Sequence, residues 1–331
     1  MLSIPSERCE EVPPFTHVGY DCFGPFVVKD GRKEFKRYGV IFSCFGSRAI
    51  HIEVVNDLTT DSFINALRCF IAIRGYVSTI YSDRGTNFVG ARNELQKAMS
   101  EMSDERISQF LANQQCHFVF NVPSSSHMAG ACERMIRIVK QVLDGISVQA
   151  SSRLDTSSLR TLLYEVMAIV NSRPISCVKL SDSHSQPEPL TPNHLLTMKI
   201  QHPLPPPGKF ESEDLYSRKR WRRVQSLAEY FWSRWRHEYL STLQPRQKWH
   251  SLQRDIEIND IVLVSENNLV RSRWRLGRVV STHPSKDGRV RKVSIQTGTS
   301  GVEPHDNSSP ASRILERPIH KCIILVPAKS A

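Results

Sequence analysis

The sequence predicts an α/β domain with a mixed five-stranded sheet and flanking helices, followed by a proline-rich linker, a basic helix and a small β-barrel. Three observations support this prediction. Apolar runs separated by turn residues fill residues 15–55, as in an antiparallel meander. Apolar residues at helical spacing then alternate with short β-branched runs. Beyond the prolines, runs rich in valine and isoleucine return over residues 256–328.

Three strands open the domain, and turn residues separate them. Asp30-Gly31 provides the first turn and Phe45-Gly46-Ser47 the second. In the third strand, alternation predicts that His51 and Glu53 point outward. The three strands are expected at about residues 17–28, 37–45 and 48–55.

Helices and strands alternate after the meander. Thr59 or Thr60 can cap the first helix, and Gly75 can end it. The order β-β-β-α-β-α-β-α-α predicts a mixed sheet covered by helices. The later elements are the strand VSTIYSD, a helix at about Val89–Met102, the strand CHFVFNV, and helices in MAGACERMIRIVKQVLDGI and LRTLLYEVMAIVNS.

Composition narrows the possible function classes. The net charge is +11 and the isoelectric point is about 9.4, which favours a polyanionic partner, nucleic acid first. No stretch reaches the roughly 20 apolar residues that span a bilayer, and the N-terminus lacks a signal-peptide pattern, so we expect an intracellular protein without a membrane partner. The eight cysteines include no CxxC pair, which argues against a zinc module.

Three acidic residues occupy positions where a carboxylate could do chemistry. Asp21 lies within the first strand, Asp83 ends the fourth, and Glu133 lies in the first turn of the helix after the fifth. If the first and fourth strands are neighbours, the three carboxylates converge and suit a hard cation such as Mg²⁺ or Mn²⁺. Each residue also has a structural role open to it. Asp21 can accept backbone hydrogen bonds, Asp83 can cap a turn, and Glu133 can favour a helix N-terminus.

Seven motifs follow one another over about residues 13–195: PPFTHVGYDCFGPF, RAIHIEVV, SFINALRCFIAIRG, YSDRGTNFVGA, HMAGACERMIRIVK, NSRPI and PLTPNHLL. Together they resemble the integrases of retroviruses and LTR retrotransposons, most closely the Pao/BEL group. WRLGRVVSTHPSKDGRVRKV resembles the small domain that follows the catalytic core in these proteins.

The resemblance implies a ribonuclease H-like fold whose Asp-Asp-Glu triad is Asp21, Asp83 and Glu133. This triad would hold two Mg²⁺ or Mn²⁺ ions for the processing of DNA 3′ ends and their transfer into target DNA. It further implies double-stranded DNA partners, a homo-oligomer and a nuclear location, with no zinc in this chain.

The resemblance also sets the expected domain organisation. Residues 1–12 would be an N-terminal remnant without the upstream zinc module, and residues 13–181 the ribonuclease H-like core. A proline-rich linker (182–213), a basic aromatic helix (214–250) and a small SH3-like β-barrel (251–331) would follow.

Basic and polar residues near these elements are candidate DNA contacts. In the basic helix, the aromatic residues either stack on distorted bases or form a core, and their shared helical face favours the core. Its arginines remain available for phosphate. The candidate contacts are Arg84, Asn87, His127, Arg134, Arg137, Lys140, Arg218, Arg222, Arg273 and Arg275.

Three positions depart from the family pattern. Arg84 stands where the family has Asn or Gln, Ala129 replaces the first of two glycines, and Cys132 replaces a tryptophan. A guanidinium beside two cations weakens metal binding unless it turns towards DNA phosphate. Two alternatives to an active integrase therefore stay open. One is a decayed or host-adopted nucleic-acid-binding protein, and the other is a metal-dependent nuclease of the same fold.

Overall fold

The computed structural model describes residues 10–82, 102, 104–113, 115–120, 130–150, 154–178, 188–199, 205–243, 254–266, 269–286, 288–297 and 313–328. The chain forms two compact units. The first comprises Met1–Asn171 and Pro206–Trp235, and the second comprises Ser172–Pro205 and Arg236–Ala331.

A mixed five-stranded sheet forms the centre of the first unit, as predicted. Its strands lie in the order β3-β2-β1-β4-β5. β1 pairs antiparallel with β2 and parallel with β4, and β4 pairs parallel with β5. This is the strand order of a ribonuclease H-like fold, and β1 is its central strand. The strands are β1 (His17–Asp30), β2 (Lys33–Cys44), β3 (Ile50–Val55), β4 (Thr79–Ser82) and β5 (His117–Phe120).

Four described helices accompany this sheet: α1 (Thr60–Arg74), α2 (Asp104–Asn113), α3 (Gly130–Ala150) and α4 (Thr156–Asn171). Thr59 caps α1 by accepting a hydrogen bond from Ser62 N, and Gly75 ends it at φ 89°, both as predicted. The helix predicted at about Val89–Met102 lies outside the described residues except for Met102. The sequence reading missed α2, which buries Ile107 and Leu111 at a spacing of four.

One face of the sheet packs against α1 through aromatic rings. Phe42 of β2 stacks on Phe70 of α1 with 4.2 Å between ring centroids, and Tyr20 of β1 lies 4.7 Å from Phe63. Burying such a side chain stabilises the fold by roughly 1.5–3 kcal/mol. The opposite face of β1 packs against α3, so the central strand is covered on both sides.

The outward orientation predicted for His51 and Glu53 is wrong, because both side chains are buried. Arg74 Nε of α1 donates to His51 Nδ1 at 3.1 Å, which fixes the proton of the neutral ring on Nε2. His51 Nε2 then donates to Glu53 Oε1 at 2.8 Å. Burial is tolerated here because the histidine, the carboxylate and the guanidinium satisfy one another.

α4 covers the outer side of β3 at Ile50, the first residue of that strand. The Asn171 side chain accepts from Ile50 N and donates to Ile50 O, both at 2.8 Å. An amide group carries one acceptor and one donor, so it can pair with both backbone groups of a strand residue. Asn171 and Ile50 are both fully buried.

The segment after the core also contains regular elements. β6 (Ser176–Val178) pairs antiparallel with β7 (Glu188–Leu190), and α5 (Pro192–Thr197) follows directly. α6 (Arg220–Leu243) is the predicted basic helix. Seven of its apolar residues are buried, which confirms the prediction that the shared helical face of its aromatic residues forms a core. The seven are Val224, Leu227, Ala228, Phe231, Trp232, Trp235 and Tyr239.

The C-terminal strands form a second five-stranded sheet, entirely antiparallel, in the order β11-β10-β9-β8-β12. This confirms a small β domain, while its closure into an SH3-like barrel stays a prediction. Asp260, completely buried before β8, accepts hydrogen bonds from Arg254, Glu257 N and Ala328 N. The strands are β8 (Ile261–Val264), β9 (Arg275–Pro284), β10 (Val290–Thr297), β11 (Arg313–Pro318) and β12 (Cys322–Val326).

Candidate functional site

Asp21 lies on the central strand, one residue beyond the pairing with β4. The last parallel pair places Tyr20 opposite Ser82. Successive side chains of a strand point to opposite faces. Because Tyr20 packs against Phe63 of α1, the Asp21 side chain lies on the other face, which α3 covers. A carboxylate is therefore held on a rigid element beneath a helix.

The Asp21 carboxylate is paired within the protein. Oδ1 accepts a hydrogen bond from Cys22 N at 2.8 Å, and Oδ2 forms an ion pair with Lys140 Nζ of α3. The exposed fractions are 24% for the Asp21 side chain and 13% for Lys140. Pairing offsets the desolvation of each charge in this half-buried position. The structure thus brings Lys140, a predicted DNA contact, to the first predicted metal ligand, and its contact with DNA stays a prediction.

Cys22 adjoins this carboxylate but supplies no ligand. Burial raises the pKa of its thiol to about 12, and the negative charge of Asp21 adds to the shift while Lys140 opposes it. The sulfur is therefore a neutral thiol near neutral pH, whereas metal binding needs a thiolate. Alternation also places the Cys22 side chain on the face opposite Asp21. Asp21 offers oxygen alone, and oxygen suits Mg²⁺ or Mn²⁺.

Several predicted site residues lie outside the described residues: Asp83, Arg84, Asn87 and His127. Glu133 belongs to α3, but its side chain is likewise outside them. Within the described part of the chain, no three His, Cys, Asp or Glu residues group as a metal site. Since two of the three predicted ligands fall outside that part, the triad stays a prediction.

The predicted basic contacts on α3 are accessible. Arg134 and Arg137 are exposed, one turn apart on the helix that carries Lys140. Their positions differ by three, so they are neighbours on one helical face. This spacing suits two successive contacts along a phosphate backbone.

The remaining predicted DNA contacts differ in whether a carboxylate of the protein already pairs with them. Arg218 is exposed, and Arg273 is half-buried. Arg222 donates to both carboxylate oxygens of Asp214, at 2.6 and 2.9 Å. Arg275 pairs with Glu266 at 2.8 Å. Sequence reasoning missed these carboxylate partners, because charge alone does not tell which basic residues are already neutralised.

The sequence reading also missed an exposed aromatic residue among these basic groups. The exposed fraction of Trp221 is 48%, whereas Trp235 is fully buried. The helical period could not have separated the two, because Trp221 lies 239 − 221 = 18 residues, about five whole turns, before Tyr239 and so has the same direction as that buried residue.

The C-terminal part of the chain matches a family of proteins. Residues 219–325 match the model of a family described as a family of unknown function, DUF5641. None of the curated proteins matches the chain. Among solved structures, the chain is similar to the HTLV-2 integrase catalytic core domain in complex with magnesium (dimeric form). Sequence identity is 16% and the TM-score 0.26, over 42% of this chain and 77% of that chain. The strand order and register define the fold of the first unit.

None of the described helices combines the length and apolar character needed to cross a bilayer.

Proposed function

We propose that the protein is a retroelement integrase of the Pao/BEL type, which processes DNA 3′ ends and joins them to target DNA. The observation that carries this proposal is the position of Asp21 on the central strand of a ribonuclease H-like sheet, next to the end of β4. A partly exposed carboxylate on a rigid strand fits a hard cation.

The register supports Asp83 as the second ligand. Asp21 follows Tyr20 and Asp83 follows Ser82 in the sequence, and Tyr20 and Ser82 are paired. Consecutive Cα atoms are about 3.8 Å apart, and neighbouring strands are about 4.8 Å apart. A second carboxylate directly after Ser82 in the sequence is therefore part of this proposal.

The position of α3 supports Glu133 as the third ligand. Lys140 of this helix reaches Asp21, and residue 133 lies seven residues earlier in the same helix. Seven residues make about two helical turns, so both positions share one side of α3. That side of α3 contacts β1 through the Lys140–Asp21 ion pair.

The roles of the chain follow from this arrangement. Two bound Mg²⁺ or Mn²⁺ ions would activate the attacking oxygen and stabilise the leaving oxygen of a phosphoryl displacement. Asp21, Asp83 and Glu133 would hold them. Arg134 and Arg137, exposed beside this site, would bind DNA phosphate and orient the scissile bond. An integrase works on nuclear DNA as an oligomer, so a nuclear location and a homo-oligomer belong to the same proposal.

The test is Mn²⁺-dependent cutting and joining of a labelled DNA duplex. Wild-type protein should give joined products, and Asp83→Asn should abolish them. Asp30→Asn is the matched control, because Asp30 is an exposed aspartate at the far end of β1 and its replacement should leave activity unchanged. Cut products without joining would identify a nuclease of the same fold.

The Asp21–Lys140 ion pair favours one alternative, a nucleic-acid-binding protein that descends from an integrase and no longer binds metal. In that case, the Lys140 ammonium group permanently replaces the cation at Asp21. Folded protein without any metal-dependent product, and without Mn²⁺ binding by titration calorimetry, would establish this alternative.

A further inference from the structure

A cluster of aromatic and basic side chains lies at the start of α6. The Phe210 and Trp221 rings meet edge to face with 5.7 Å between centroids. The Arg222 guanidinium lies over both rings, 5.5 Å from Phe210 and 5.7 Å from Trp221. We define the Trp221 surface as Lys209, Phe210, Arg218, Lys219, Arg220, Trp221 and Arg222.

Arg222 is fixed in place beneath this surface. Besides its two bonds to Asp214, it donates to Lys209 O at 3.3 Å. The same bonds hold the pKa of the Asp214 carboxyl below its usual value. A guanidinium bound in this way is neutralised, so it positions the indole ring and does not contact phosphate. The ring is therefore ordered before a ligand arrives, which lowers the entropy cost of binding.

The positive charges around Trp221 interact unfavourably with the dipole of α6. The N-terminus of a helix is the positive end of its dipole, where acidic residues are favourable. The first turn of α6 contains no acidic residue and begins RWRR. Residues 209–223 include six basic and three acidic residues, so the balance is positive. An excess of cations at this end of a helix is unfavourable without an anion, and it points to a polyanionic ligand.

The basic groups nearest the ring are accessible. Arg218 and Lys219 are exposed, and the Arg220 side chain is 75% exposed although it pairs with Asp155 at 2.8 Å. Because solvent screens the exposed Arg220 guanidinium, this ion pair is weak and phosphate can compete with the carboxylate for it. Up to three phosphate contacts are thus available beside one exposed aromatic face.

We propose that the Trp221 surface binds single-stranded nucleic acid, with one base stacked on Trp221 and phosphates held by Arg218, Lys219 and Arg220. Base stacking on an aromatic ring combined with cations along the backbone is the usual mode of single-strand binding. Bases inside an intact duplex do not present a face to an indole ring. This surface deepens the proposed function by adding a frayed or unpaired DNA end to its substrates.

An anionic membrane is the other polyanion with which tryptophan and basic residues associate. Membrane-binding helices insert a broad apolar face. In α6 that face is already buried through Leu227, Phe231 and Trp235. The part of the Trp221 ring that is exposed gives little area for insertion, so the observations favour nucleic acid.

The test measures binding of a fluorescent oligothymidylate of about 15 nucleotides to the full chain, in EDTA, by anisotropy. Trp221→Ala should weaken binding about tenfold, and Trp221→Phe should restore most of the loss, because a phenyl ring still stacks. Arg218→Glu should weaken binding and flatten its salt dependence. The matched controls, Phe35→Ala and Arg32→Glu, change an exposed aromatic and an exposed cation elsewhere in the first unit and should bind like wild type.

Three results would overturn the proposal. They are unchanged affinity in Trp221→Ala, equal losses in Trp221→Ala and Phe35→Ala, or binding to phosphatidylserine vesicles without binding to the oligonucleotide. Circular dichroism of each variant excludes unfolding as the cause of a loss. Since EDTA removes divalent metal, this experiment can succeed where the integration assay fails, and the reverse.

Discussion

Lys140 of α3 forms an ion pair with Asp21 of β1, so the carboxylate predicted to bind metal is neutralised by a side chain of the same protein. The ammonium group and a divalent cation would compete for the same oxygen. This relationship gives the candidate site a testable property that does not depend on catalysis.

Replacing Lys140 should show whether its ammonium group and a divalent metal ion compete for the Asp21 carboxylate. Lys140→Gln leaves the half-buried Asp21 carboxylate without its ion pair, so we expect the metal-free protein to lose about 1–3 kcal/mol of unfolding free energy. The variant should bind Mn²⁺ more tightly than wild type, because the competing charge is gone. Urea unfolding with and without Mn²⁺ measures both effects. Arg137→Gln, an exposed change on the same helix, is the control. Equal Mn²⁺ stabilisation of both variants would contradict the competition.

The buried thiol of Cys22 should make stability depend on alkaline pH. Its pKa is raised from 9.0 to about 12 in the folded protein, so the folded state retains a proton that the unfolded state loses. Its contribution is complete below pH 9 and is lost as the pH rises towards 12. Urea unfolding at pH 8, 9 and 10 should show a steeper decline for wild type than for Cys22→Ala. Identical slopes would show that Cys22 does not titrate in this way.

Arg74→Lys should destabilise the first unit by about 1–3 kcal/mol, although the charge is kept. Lysine cannot keep the planar contact over Phe15 while donating to His51 Nδ1, and a buried acceptor would lose its donor. Chemical denaturation measures the change. Arg68→Lys, at an exposed position of α1, should be neutral. A loss of equal size in both variants would assign the effect to helix propensity instead.

Asp260→Asn should destabilise the second unit, above all near its C-terminal end. The carboxylate receives two hydrogen bonds from Arg254 and one from each of two backbone N–H groups, all between 2.8 and 3.0 Å. An amide nitrogen cannot accept, so we expect a loss of about 3 kcal/mol and faster proteolysis near Ala328. Thermal unfolding and timed digestion test this. The partly exposed Asp255→Asn serves as comparison, and resistance equal to wild type would disprove the role of Asp260.

Local patterns predicted the elements better than their contacts. Turn residues and alternation predicted the meander, and helical spacing predicted the buried face of α6, because both signals repeat over many residues. The burial of His51 and Glu53 was not predicted, because it depends on Arg74, 23 residues away on a helix that crosses β3. The partner of Asp21 was missed for the same reason, since Lys140 is 119 residues distant in the chain. Contacts between elements depend on how helices lie on the sheet, which a single sequence encodes only indirectly.

The hydrogen bonds of the Asn171 side chain limit intermolecular strand pairing at β3. A sheet whose outer strand shows unpaired N–H and C=O groups can recruit a strand from another molecule, and such growth leads to aggregation. At Ile50 both groups are already occupied by one side chain. The Asn171 side chain therefore blocks strand pairing at the start of the edge strand. At Ile50, β3 cannot begin a continuous intermolecular sheet.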